Sequence, residues 1–140
     1  MVMTLEADYA VRIVDALSQS AQKVDARTIS TQTQVPLRFA LKILRKLVAG
    51  GLIVSYKGAH GGYSLARGAD QITLRQVIES VEGPYMLNRC QQTEYSCTHT
   101  ASCRFHEVYD EISLIVRQKL DSYTFATLSK NGPCKSCKKD

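Results

Sequence analysis

The segment PLRFALKILRKLVA, residues 36–49, constrains the fold of this chain more than any other. At about 100° per residue on a helix, Leu37, Ala40, Leu41, Ile43, Leu44, Leu47 and Val48 fill one broad arc, while Arg38, Lys42, Arg45 and Lys46 fall on a separate one. One face is therefore core and the other a basic stripe. Pro36 suits the start of such a helix because its missing N–H would have no partner there. Gly50-Gly51 suits its end, since glycine takes the left-handed conformation that closes a helix. The stripe belongs to a longer field: residues 26–69 hold no Asp or Glu but carry Arg27, Arg38, Lys42, Arg45, Lys46, Lys57 and Arg67. Residues 90–140 are nearly balanced, with seven basic and six acidic side chains. The net charge of +5 is thus concentrated in the N-terminal half, as expected of a polyanion-binding surface.

The neighbouring segments supply the rest of the framework. Residues 4–19 place Leu5, Tyr9, Ile13 and Leu17 at helical spacing, with Asp8, Arg12 and Asp15 opposite. Asp25 is an N-cap for a short helix through Thr33, and Val35-Pro36 forces an extended junction before the basic helix. LIVSYK, the loop GAHGG and YSLAR then read as a hairpin with a glycine-rich tip. A short amphipathic helix over 72–82, with Leu74, Val77, Ile78 and Val81 inward, ends at Gly83-Pro84. A long apolar helix follows over 104–121, carrying Val108, Ile112, Ile115 and Leu120 and widened by Leu114 and Val116. Its apolar band needs a cover, either from the same chain or, as expected here, from a second copy.

The fold class expected is mainly α: a winged helix-turn-helix domain with a small β-hairpin wing, plus a long C-terminal dimerisation helix. In that architecture the second helix of the pair enters the DNA major groove and the hairpin touches flanking backbone. The residues expected to meet double-stranded DNA are Arg27, Arg38, Lys42, Arg45 and Lys46, with Tyr56, Lys57, His60 and Gly61 at the wing. The free amides of Gly58, Gly61 and Gly62 are expected to face outward there. With 140 residues and 44% hydrophobic composition, one compact domain with an added helix and tail is expected. The boundaries read as 1–83 for DNA binding, 84–103 for a ligand loop, 104–129 for dimerisation and 130–140 for a mobile tail. No apolar run approaches the roughly 18 residues of a membrane span, and the N-terminus lacks a signal-peptide pattern, so a cytoplasmic protein is expected. No nucleophile–base set or phosphate-cradling loop is recognisable, which argues against an enzyme.

The stretch CQQTEYSCTHTASCRFH, residues 90–106, carries Cys90, Cys97 and Cys103, and His106 follows the last of these after two intervening residues. In a reducing compartment such thiols read as metal ligands or redox groups before disulfides. The wide spacing leaves an iron–sulfur cluster, zinc and reactive thiols all open, although zinc sites more often bring ligands in as close pairs. Cys134 and Cys137 form a lone CxxC in the tail, to which no role is assigned.

The opening EADYAVRIVDAL, the helix PLRFALKILRKLVAGGLI, the wing YKGAHGGYSLAR, the following ITLRQVIESVEG and the three cysteines together resemble the Rrf-two (Rrf2) family of bacterial transcription regulators. The likeness spans roughly residues 3–129. It implies a homodimer joined largely through the long helix, and a cysteine loop that carries an iron–sulfur cluster, with 2Fe-2S favoured and 4Fe-4S the alternative. His106 matches the fourth ligand of the IscR branch, whereas Asp8 matches the carboxylate that reaches a 4Fe-4S cluster from the other subunit in the nitric-oxide-sensing branch. The function implied is control of operator affinity by cluster status; the alternative is a regulator without a cluster that responds through thiols, zinc or a small effector. Leu41 stands where the IscR branch has an operator-tuning glutamate, and the gap between Cys90 and Cys97 is one residue longer than is common there.

Overall fold

The structure, a computed structural model, describes residues 2–92, 97–98 and 102–130. Cys134, Cys137 and residues 131–140 of the expected tail lie outside the described residues, while Lys130, the first residue of that expected tail, is helical. Among those described, α1 (Leu5–Ser18), α2 (Ala26–Thr33) and α3 (Leu37–Ala49) lead into β1 (Ile53–Tyr56) and β2 (Gly62–Leu65), and α4 (Leu74–Glu82), α5 (Arg104–Asp121) and α6 (Phe125–Lys130) follow. None of the described helices is long and apolar enough to cross a membrane.

Local chemistry sets these boundaries. Asp25 caps α2 by accepting from the Thr28 N–H at 2.8 Å, and that bond holds its carboxyl below the usual range. Gln34, at φ 57°, ends α2 in the left-handed conformation, and α3 starts one residue later than Pro36, which caps it. Thr73 and Gln76 form a reciprocal capping box at the start of α4. The two strands pair antiparallel, Ile53 opposite Leu65 and Tyr56 opposite Gly62, giving the expected hairpin. Val24 docks against it, exchanging backbone bonds of 2.8 and 3.0 Å with Tyr63. A Cβ at Gly62 would lie 2.9 Å from the Val24 carbonyl oxygen, so glycine is what permits this approach.

The core gathers Ile13 and Val14 of α1, Ile29 of α2, Ile43, Leu44 and Leu47 of α3, Val77 of α4, and Ile53, Ile72 and Phe125. Two residues assigned inward by periodicity lie outward. Leu5 is 60% exposed, because the series 5, 9, 13, 17 drifts by about 40° per step and winds from solvent to core. The inner face of α1 instead runs through Ala7, Ala10, Ile13, Val14 and Leu17. Val48, at the margin of the apolar arc in the last turn of α3, is also exposed.

The far end of α5 is clasped to α4. Asp121 accepts from the Thr73 hydroxyl at 2.9 Å and pairs with Arg75 at 3.1 Å, while the Leu74 N–H donates to the Tyr123 carbonyl at 2.9 Å. On α5 itself only Ser113 is fully buried, and Phe105, Val108, Ile112 and Ile115 leave an apolar strip exposed.

Candidate functional site

Two sites emerge from this scaffold. The first is the surface made by α2, α3 and the wing, where Arg27, Arg38, Lys42, Arg45, Tyr56, Lys57 and His60 are exposed and Lys46 is half-buried. The guanidinium carbon of Arg38 lies 5.2 Å from the Phe39 ring centroid, a cation–π contact made on an exposed side chain. Lys23, missed from the sequence because it precedes α2 in an unremarkable turn, sits 4.6 Å over the Tyr56 ring and extends the positive surface along the wing. An open groove of about 830 Å³ runs between that turn and the wing, with Lys23, Tyr56, His60 and Gly61 in its walls.

One expectation for this surface needs correction, and three of its cations have partners within the chain. The Gly61 N–H is not free: it donates to the Gly58 carbonyl at 3.0 Å to close the wing turn. Arg67 is structural, its guanidinium donating to the Gly51 and Gln71 carbonyls and to Gln76. Lys42 and Lys46 are both engaged by Glu6 of α1, Lys46 at 2.7 Å, so the basic stripe divides into two unpaired arginines and two paired lysines among the described contacts. The Lys42 and then the Lys46 hydrogen bond pull the Glu6 carboxyl down to about 2.

The second site lies at the start of α5. Cys90, Cys97, Cys103 and His106 all line one cavity of about 340 Å³, completed by Asn88, Arg89, Phe105 and Tyr109. The three cysteines and His106 are each half-buried. Asp8 does not line this cavity; its carboxylate pairs with Arg12 at 2.8 Å, one turn along α1.

His106 stands at the head of a chain of polar contacts that is hydrogen-bonded from Asp110 onward. Its Nε2 lies 3.3 Å from Asp110 Oδ2, and Asp110 Oδ1 accepts from the Gln91 amide at 2.6 Å. Gln91 Oε1 in turn accepts from the Ser113 hydroxyl at 2.9 Å and from the Asn88 N–H at 3.2 Å, while Ser113 Oγ accepts from the Leu87 N–H at 3.0 Å. The relay satisfies the buried serine and bolts the loop that carries Cys90 onto α5.

A family model described as Rrf2, an iron-dependent transcriptional regulator, matches residues 3–131. The chain belongs to the Rrf2 family. It is 30% identical to the HTH-type transcriptional regulator IscR of Sodalis glossinidius, over 94% of this chain and 80% of that protein. It is 28% identical to Protein rrf2 of Nitratidesulfovibrio vulgaris, over 94% of this chain and 89% of that protein. Among solved structures it is similar in fold to CymR, the global cysteine regulator of B. subtilis, with TM-score 0.75, 23% identity and coverage of 95% and 99%. T. potens IscR matches with TM-score 0.74, 21% identity and coverage of 100% and 94%. The protein is thus a DNA-binding transcription regulator of winged-helix fold and not an enzyme.

For this Rrf2-family chain the cavity residues fit an iron–sulfur cluster on their own chemistry. The buried Nδ1 of His106 has no hydrogen-bond partner among the described residues, while Nε2 on the other edge of the ring lies 3.3 Å from Asp110 Oδ2. A buried ring nitrogen without a partner, in a cavity that three cysteines also line, is a donor set whose chemistry suits iron. Among the described residues no three Cys, His, Asp or Glu side chains converge tightly enough to hold a single ion.

Proposed function

We propose that this Rrf2-family regulator binds its operator as a homodimer, and that an iron–sulfur cluster held by Cys90, Cys97, Cys103 and His106 sets its affinity. The observation that carries this reading is the shared cavity of three thiols and a histidine whose buried Nδ1 has no partner among the described residues. Four protein ligands agree with a 2Fe-2S centre, and Asp8 offered by a second copy is the route to a 4Fe-4S centre instead. The cluster, when bound, supplies a centre whose integrity depends on redox state, nitric oxide and iron supply.

The chain's own residues convert that status into position. Asp110 orients the imidazole, and Gln91 and Ser113 tie the Cys90 loop to α5. At the other end of α5, Asp121 grips Thr73 and Arg75 at the start of α4. A rearrangement at the cysteines is therefore delivered through a stiff helix to the DNA-binding core. The exposed strip Phe105, Val108, Ile112 and Ile115 supports pairing with a second copy along α5, which sets the spacing of the two α3 helices.

A second reading is a family member without a cluster that responds through its thiols. Its support is the fold likeness to CymR, a cysteine regulator also known in an oxidized form from Staphylococcus aureus, and the lack of a close three-ligand group among the described residues. Anaerobic purification separates the two. The cluster reading expects a brown protein with iron and acid-labile sulfide in equal amounts; a colourless protein with reactive thiols and no sulfide supports the second reading instead.

A further inference from the structure

On α3 the four cations of the basic stripe are not equivalent. Arg38 and Arg45 extend from the exposed arc, whereas Lys42 and Lys46 converge on the single carboxylate of Glu6, which projects from the first turn of α1. Lys46 is half-buried beside it, and the Glu6 side chain is 30% exposed. The trio thus presents a net charge of +1 where the sequence alone counts +2 on α3. Its carboxylate is ionised wherever duplex DNA is stable, since the two lysine bonds hold it down to about 2.

We propose that Glu6 is a specificity-determining residue, which withholds Lys42 and Lys46 from the DNA backbone and so lowers affinity for non-cognate sequence. This rests on the reading that α3 faces DNA. Lysine contacts to phosphate add affinity without sequence information, and each releases counterions. A carboxylate that occupies two lysines removes two such contacts and adds a like charge facing the phosphates. Readout is then left to the arginines, whose paired donors discriminate guanine. The gain is in the ratio of operator to non-cognate binding, the quantity that matters against a genome of competing sites.

The test uses the full-length protein and a short duplex of arbitrary sequence, with affinity measured across a range of salt concentrations. Glu6→Gln keeps the side-chain size and removes the charge. It is expected to tighten binding several-fold at low salt and to steepen the plot of log affinity against log salt by up to about 1.8, the contribution of two phosphate contacts. Adding Lys42→Ala and Lys46→Ala to Glu6→Gln returns the slope to its starting value. Unchanged or weaker binding by a folded Glu6→Gln protein, verified by its thermal melt, overturns the proposal and leaves Glu6 as a clamp between α1 and α3. Arg38→Ala and Arg45→Ala distinguish the two levels of failure. If they do not flatten the slope, α3 does not face DNA; if they do while Glu6→Gln does not steepen it, only the role of Glu6 is wrong.

Discussion

Phe125→Ala lowers the unfolding free energy by about 3–5 kcal/mol, the range for removing a fully buried phenylalanine. That is a large share of the roughly 5–15 kcal/mol that keeps a domain folded. Phe125 is 1% exposed and belongs to the same core as Ile13, Leu44 and Val77, although it lies beyond the long helix in sequence. Its N–H donates to the Ile72 carbonyl at 3.1 Å, and Thr124 bridges Thr73, so α6 returns the chain to the DNA-binding core. Because this return also anchors the far end of α5, the substitution loosens the link between the cysteine loop and α4. Denaturant unfolding at one fixed protein concentration checks the prediction, and a loss below about 1 kcal/mol contradicts the packing described.

Much of the DNA-binding framework was legible because its determinants are local. Periodicity placed α3, Asp25 announced the cap of α2, and Gly83 marked the end of α4 at φ 80°. What stayed hidden depends on which segments meet in space. Nothing near Phe125 says that it completes a distant core, and nothing near Glu6 says that two lysines of α3 close on it. The cysteine site divides in the same way. Its four candidate ligands stood out by residue type, and Asp110 was within reach as the i+4 neighbour of His106. Gln91 and Ser113 could be recognised only once the loop folded back on α5, although a serine inside an apolar helix was a signal that something polar must meet it.

The largest functional effect is expected at the thiols. Cys90→Ser, Cys97→Ser or Cys103→Ser each removes a soft ligand that a hydroxyl does not replace, and each is expected to abolish retained iron and acid-labile sulfide. The protein should stay folded, because all three cysteines are half-buried at the cavity and none belongs to the core. His106→Ala is expected to weaken retention less severely, as three thiolates remain. Each Cys→Ser variant should bind DNA with one affinity that no longer responds to iron supply or oxidation. Iron and sulfide assays, paired with circular dichroism to verify folding, check the first expectation. Full cluster content in any of the three serine variants removes that residue from the ligand set.

The central claim is that cluster status is coupled to DNA affinity, and one comparison tests it most directly. A duplex is selected from a random pool separately by the anaerobically purified protein and by the same protein stripped of iron, and the affinities of both forms for both duplexes are measured at one salt concentration. Coupling of about 1–3 kcal/mol, a difference of roughly 5- to 150-fold between the two forms on at least one duplex, is the predicted result. Equal affinities of the two forms on every selected duplex would contradict the account.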